Sequence, residues 1–251
     1  MSGLKQLRTR IKSVQSTQKI TKAMKMVAAA RLKRATNAAL GAKPYFDSVN
    51  KILAQISLRS DNIEDPPLIM TGNGRDLKYL LIVVTANKGL CGAFNSSIIK
   101  SAISRYRDLS EMGKEVSIIC AGSKGYEQLK NHFNVEHYFA GEINHELCVE
   151  IRNYLFTEFD RRNFDICEIF YNDFKSVILQ ETCKKQLIPV TIKHENIDDD
   201  GEKFIYEPNM SVLLNQLLPT AILAELHYIF LQNQASEHGS RMTAMDNATN
   251  N

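Results

Sequence analysis

No acidic side chain occurs in the first 46 residues; the first is Asp47, although the chain as a whole carries 28 acids against 31 lysines and arginines. Eleven of the cations (Lys5, Arg8, Arg10, Lys12, Lys19, Lys22, Lys25, Arg31, Lys33, Arg34 and Lys43) lie in that stretch, which leaves 20 basic and 28 acidic residues for the remainder. The sequence therefore joins a cationic arm to a mildly acidic body. Nor does any apolar run approach the ~18 residues needed to cross a bilayer; the strongest, Leu80–Val84, has the length of a buried strand. Cysteine is sparse and odd in number: Cys91, Cys120, Cys148, Cys167 and Cys183, no two closer than 16 positions. That excludes a CxxC metal site and a disulfide framework, and fits a reducing compartment. Internal repeats and low-complexity tracts are absent, which excludes solenoids.

What the arm does contain is a heptad. Ala28, Leu32, Ala35, Ala39, Ala42, Phe46, Val49, Leu53 and Ile56 alternate spacings of four and three, the seam of a coiled coil. Leu4, Leu7, Ile11 and Val14 follow the same spacing. Continuing their frame puts Gln18, Thr21 and Lys25 on the seam, so the apolar stripe is expected to drift there to Ile20, Ala23, Met24 and Val27. Gly41 and Pro44 predict a bend, because Pro44 has no N–H for the carbonyl of Leu40. A helix over residues 3–57 would extend roughly 80 Å, too long for a globular domain, so it projects. In composition the arm is like a mitochondrial presequence. A discarded presequence would stop before a long-range pattern, however, and this arm runs straight into one.

The seam needs a cover. From Met210 a second helix is predicted, with Asn209 as N-cap, Pro219 as a local irregularity, and Leu214, Leu217, Leu218, Ile222, Leu226, Ile229 and Phe230 on one broad face. Between the two helices, strand signals (Leu77–Thr85, Glu115–Ala121, Phe164–Phe170, Val177–Ile188) alternate with helix signals (Asn95–Met112, Ser123–His132, Asn144–Arg162). The fold class is α/β: a long antiparallel coiled coil of the N- and C-terminal helices with an inserted Rossmann-like domain. The expected division is an N-terminal helix over 1–60, a linker over 61–75, the α/β domain over 76–206 and the C-terminal helix over 207–251.

Chemical motifs are incomplete. Lys88-Gly89-Leu90-Cys91-Gly92-Ala93-Phe94-Asn95 sits between strand and helix, where phosphate loops lie, but matches neither nucleotide fingerprint. It reads as a tight turn using glycine for backbone room. Gly122-Ser123-Lys124-Gly125 reads the same way and is no nucleophile elbow. Asn196–Glu207 imitates a calcium loop, with Asp198, Asp200, Gly201 and Glu207 in place, but Asn196 and Lys203 break the pattern and no helix enters it. His145-Glu146 begins a zinc-protease motif that Val149 ends. His132 and His137 have no companion ligand. No catalytic residue, metal or cofactor is expected.

The stretch Thr17-Gln18-Lys19-Ile20-Thr21-Lys22-Ala23-Met24, followed by Lys25-Met26-Val27-Ala28-Ala29-Ala30-Arg31-Leu32-Lys33-Arg34-Ala35, resembles the amino-terminal helix of gamma subunits of F-type ATP synthases. So do Ala86-Asn87-Lys88-Gly89-Leu90-Cys91-Gly92, Gly122–Gly125, Tyr206-Glu207-Pro208 and the closing run Ala235–Thr249. The resemblance implies a non-catalytic rotor shaft that turns inside a ring of alpha and beta subunits and stands on a c-subunit ring. By motif, Gln18, Lys19, Thr21, Lys22, Met24 and Lys25 would face acidic segments of beta. Arg241, Met242, Met245 and Asp246 would lie opposite them on the returning helix. Arg31, Lys33, Arg34, Phe204, Tyr206 and Glu207 would face the c ring and the epsilon subunit. Relative to the family pattern the sequence is C-terminally shortened, so the seam from Leu4 to Val14, and Ile20, is expected to lack its antiparallel partner. The absence of a leader ahead of Ser2 predicts a bacterial inner-membrane protein, peripheral on the cytoplasmic side and held there only through its complex.

Two other classes compete. A nucleic-acid binder would use the basic helix on phosphates, but the unbroken seam and the lack of clustered aromatics oppose it. A nucleotide-binding enzyme is opposed by the incomplete glycine loops.

Overall fold

The computed structural model describes residues 2–57, 66–142, 144–191 and 210–250. The predicted N-cap Asn209, the linker positions 61–65, the calcium-like turn and Phe204, Tyr206 and Glu207 lie outside them.

Helix α1 runs Ser2–Ser57 and helix α6 runs Met210–Asn250, about 84 and 62 Å at 1.5 Å per residue. They pack antiparallel over nearly the whole of α6. All nine positions of the predicted seam are buried or half-buried. At its lower end Val49, Leu53 and Ile56 pack with Leu214, Leu218 and Ala221; each such leucine contributes roughly 1.5–3 kcal/mol by leaving water. Phe46 stacks on Tyr228, ring centroids 4.6 Å apart. Higher up, Leu32 and Ala35 meet Ala235. Alanine dominates here because it lets two backbones approach closely. Helix α1 does not end at Pro44, which lies on its exposed side. Above the paired segment Leu4, Leu7, Ile11 and Val14 are exposed, as is Ile20.

One sequence expectation is overturned. The seam does not drift as a whole at residues 20–27: Ile20, Ala23 and Val27 are exposed and only Met24 of that stripe is half-buried, while Thr21 is buried and Lys25 half-buried in the original frame. Partners explain it. The Thr21 and Thr249 hydroxyls are 2.7 Å apart, Lys25 pairs with Asp246, and Gln18 Nε2 donates to the Thr249 carbonyl. Polar seam positions are tolerated where the opposite helix offers polar groups.

The body holds one five-stranded sheet. In chain order its elements are α2 (Leu68–Thr71), β1 (Lys78–Val84), α3 (Phe94–Glu111), β2 (Glu115–Ala121), α4 (Ser123–Leu129), β3 (Val135–Phe139), α5 (His145–Asp160), β4 (Ile166–Phe174) and β5 (Gln180–Ile188). The strand order is β3-β2-β1-β4-β5, parallel except for the antiparallel hairpin β4–β5. Strand β3 and helix α2 were not foreseen. Asn144 is the N-cap of α5, its Oδ1 accepting from the Leu147 N–H at 2.9 Å.

Helix α6 serves two cores at once. Leu214, Leu218 and Ala221 face α1, while Ile222, Leu226, Ile229 and Phe230 lie against the sheet and α5. By length and composition alone α6 could cross a bilayer. Both its apolar faces are instead taken, one by α1 and one by the sheet.

Candidate functional site

In a doubly wound sheet, ligands bind beyond the carboxyl ends of the strands where the strand order reverses. Here that crevice lies between β1 and β4, and α6 fills it. Asn233 is fully buried. Its Oδ1 accepts from the Asn172 N–H at 2.9 Å, and its Nδ2 donates to the Val84 carbonyl at 3.4 Å. Asn172 is buried in turn, donating to the Phe94 carbonyl and accepting from Thr182 Oγ1 at 2.6 Å. The place a nucleotide would take is thus occupied by α6.

The glycine-bearing loops are built to pack. A Cβ on Gly122 would lie 2.0 Å from the Thr85 carbonyl oxygen, at a φ of 110° that side chains avoid. Thr85 Oγ1 accepts from the Gly125 N–H at 2.8 Å. Asn87 ties three loops together, accepting from the Ser123 N–H and donating to the Gly141 carbonyl. In the Lys88–Gly92 turn, Leu90 and Gly92 take positive φ. The turn's carbonyls face α6: Arg241 donates to the oxygens of Lys88 and Gly89 at 3.1 and 3.3 Å. A phosphate loop presents N–H groups to its ligand, whereas this one presents carbonyls to a guanidinium. The reading as a tight turn holds, and docking α6 is its task.

Arg241 is therefore committed to the body and not to the Thr17–Met26 stretch. It is buried, paired with Glu237 at 2.6 Å and 3.3 Å from His238 Nδ1. Burial, with the charges of Arg241 and Arg31, pushes His238 down to about 4, so this imidazole is neutral near pH 7. Met242 packs beside Leu32 and Ala35, Met245 is buried and Met24 half-buried. Asp246 does lie opposite the predicted stretch, on Lys25.

Lys19 and Lys22 point outward beside Lys25, lining a groove of about 540 Å³ with Gln18, Met26, Asp246 and Thr249. Neither has a carboxylate partner among the described residues. Arg31, Lys33 and Arg34 are exposed lower on α1. Arg31 and Arg34 border a second groove of about 440 Å³ with Lys88, Glu142, Glu237 and His238. The described residues hold no group of three or more potential metal ligands, and all five cysteines are free. What the site offers is a cationic rod on a rigid mount.

Sequence reasoning missed Asn172 and Asn233, because an isolated amide carries no pattern. Asn172 lies in strand β4, and Asn233 stands between Gln232 and Gln234, where polar residues draw no notice.

A family model described as ATP synthase matches residues 3–251. The ATP synthase gamma chain of Pelagibacter ubique (strain HTCC1062) is 40% identical over 257 positions, covering 100% of this chain and 88% of the relative. That of Paracoccus denitrificans (strain Pd 1222) is 42% identical with the same coverage. Among solved structures, a chain of the Tetrahymena thermophila mitochondrial ATP synthase central stalk and c ring superposes with a TM-score of 0.70 at 24% identity, over 91% of this chain and 99% of that one. A chain of the Euglena gracilis mitochondrial ATP synthase rotor gives 0.57 at 18% identity, over 99% and 91%.

Proposed function

Because this chain belongs to the ATP synthase gamma-chain family, we propose that its coiled coil carries torque between a membrane c ring and a catalytic head of alpha and beta subunits. The chain is a non-catalytic component of the central stalk, the rotor of an F-type ATP synthase. In this reading, proton flow through the ring turns the shaft, and the shaft cycles sites that belong to the head.

The observation that carries the reading is the division of labour along residues 18–25. Thr21 and Lys25 are spent inward, on Thr249 and Asp246. Lys19 and Lys22 remain outward, without a carboxylate partner among the described residues. A cation at a bearing surface is attracted by an acidic lining at every angle without one fixed bond, so it holds the shaft while letting it turn. Gln18, Lys19, Thr21, Lys22, Met24 and Lys25 form this head-facing segment, with Met242, Met245 and Asp246 behind it and Arg241 anchoring it to the body. Arg31, Lys33 and Arg34 lie nearer the foot. With Phe204, Tyr206 and Glu207 they are assigned to the c ring and epsilon subunit. The relatives are bacterial, which supports a peripheral place on the cytoplasmic face of the inner membrane.

Reconstitution with alpha and beta subunits tests this. The chain should restore ATP hydrolysis, and Lys19→Glu with Lys22→Glu should lower it by weakening the bearing. Unchanged hydrolysis and coupling in an assembled charge-reversed complex would sink the electrostatic part.

A further inference from the structure

The body grips the shaft from two sides at one height. On one side Arg241 reaches the Lys88 and Gly89 carbonyls. On the other, the tip of the β4–β5 hairpin closes on α6. An ideal Cβ on Gly239 would lie 3.3 Å from the Phe174 ring, 3.5 Å from Gln180 Nε2 and 3.8 Å from the Val177 carbonyl. Ser240 Oγ donates to Gln180 Oε1 at 2.9 Å, and Thr243 Oγ1 to the Val177 carbonyl at 3.4 Å. Gln180 Nε2 is held in turn by the Val177 carbonyl at 2.7 Å.

The hairpin also reaches α1. Phe174 and Val177 pack on the cluster of Leu32, Ala35 and Ala235, which spans both helices. Farther down the same ribbon, Lys185 pairs with Glu225 of α6 at 2.6 Å and lies over the Phe46 ring of α1. One two-stranded ribbon therefore meets α6 at two heights and touches α1 at Phe46, with its tip against the cluster that the two helices share. Where the seam between two helices is narrow and rich in alanine they can twist about each other; a third leg bonded to one and packed against the other resists this.

We propose that the β4–β5 hairpin is a torsional brace that makes the body and both helices turn as one, with Phe174, Val177, Gln180 and Gly239 as its positioning residues. This rests on the rotor reading above and adds to it the path by which force enters the shaft. Gly239 lets the tip lie close to α6: a Cβ there would be tight against the Phe174 ring, which would have to give by a few tenths of an ångström. The hairpin tip lies at Leu32 and Ala35, below the Gln18–Lys25 segment assigned to the head, so loosening it should separate hydrolysis from work.

The test is ATP-driven proton pumping against ATP hydrolysis in inverted membrane vesicles carrying the whole complex. Restored hydrolysis and pumping with the unaltered chain first establish the rotor reading; their absence would overturn that reading and this one with it. Phe174→Ala should then keep hydrolysis but lower protons pumped per ATP severalfold, and Phe174→Leu should recover most of the loss. Where Phe174→Ala fails to assemble, Gln180→Ala, which removes the Ser240 bond and the tip's two internal bonds to the Ser176 and Val177 carbonyls, should lower the same ratio more mildly. A ratio unchanged in an assembled complex carrying either alanine variant overturns the brace.

Discussion

The ammonium of Lys25 lies 2.5 Å from the carboxylate of Asp246, joining two residues 221 positions apart near the upper end of the paired helices. Both side chains are about two-fifths exposed, so the pair sets register more than it adds stability. The expected coupling energy in a double-mutant cycle is about 0.2–1 kcal/mol. Asp246→Lys alone should loosen the upper coiled coil, seen as faster amide exchange near Thr249, and Lys25→Asp added to it should restore protection.

Gly122→Ala is expected to cost about 3 kcal/mol or more, since its Cβ would meet the Thr85 carbonyl at 2.0 Å in a left-handed conformation. Gly74→Ala, also at positive φ but with nothing within 4 Å, should cost only about 1 kcal/mol. Urea unfolding of the two variants side by side measures the difference.

Asn233→Leu should destabilise by about 2–4 kcal/mol. It strands the Asn172 N–H and the Val84 carbonyl in a closed crevice. The same variant should gain no nucleotide binding in a calorimetric titration, because Phe230 and the rest of α6 still fill the place.

His238 gives a pH dependence of definite sign. Its folded value, about 4, lies below the ordinary 6.5, so the unfolded chain takes up a proton that the folded chain refuses between those values. Stability should fall as pH drops from about 6.5 toward 4, by roughly 2–3 kcal/mol from this residue. Its neighbours from every side are Arg31 and Arg34 on α1, Lys88 and Glu142 on the body, and Glu237 and Arg241 on α6. His238→Gln should flatten that part of the curve while leaving the further loss at lower pH. The further loss comes from Asp76, held low by Tyr79 and Lys114, and from Asp165. Burial would raise Asp165, but Asn73 and the Lys78 and Leu77 amides outweigh it.

Much of this was legible because burial imposes a period. The seam from Ala28 to Ile56 is apolar wherever α6 covers it, and β1 and β2 are apolar because helices pack on both faces of the sheet. Strand β3 escaped notice because it is an edge, with only Phe139 buried. Thr21 and Lys25 were misread as a shift of the stripe. Their partners Thr249 and Asp246 stand at the far end of the chain, and nothing in local sequence says that polar will meet polar. The residues of the proposed brace escaped notice for a similar reason: Phe174, Val177, Gln180 and Gly239 share no local pattern and are brought together by the fold.

The most direct measurement is rotation itself. With the alpha and beta subunits fixed to a surface and a bead attached to the exposed Met112 position of the body, added ATP should drive one-way rotation of the bead. A bead that stays still while ATP is hydrolysed would contradict the account.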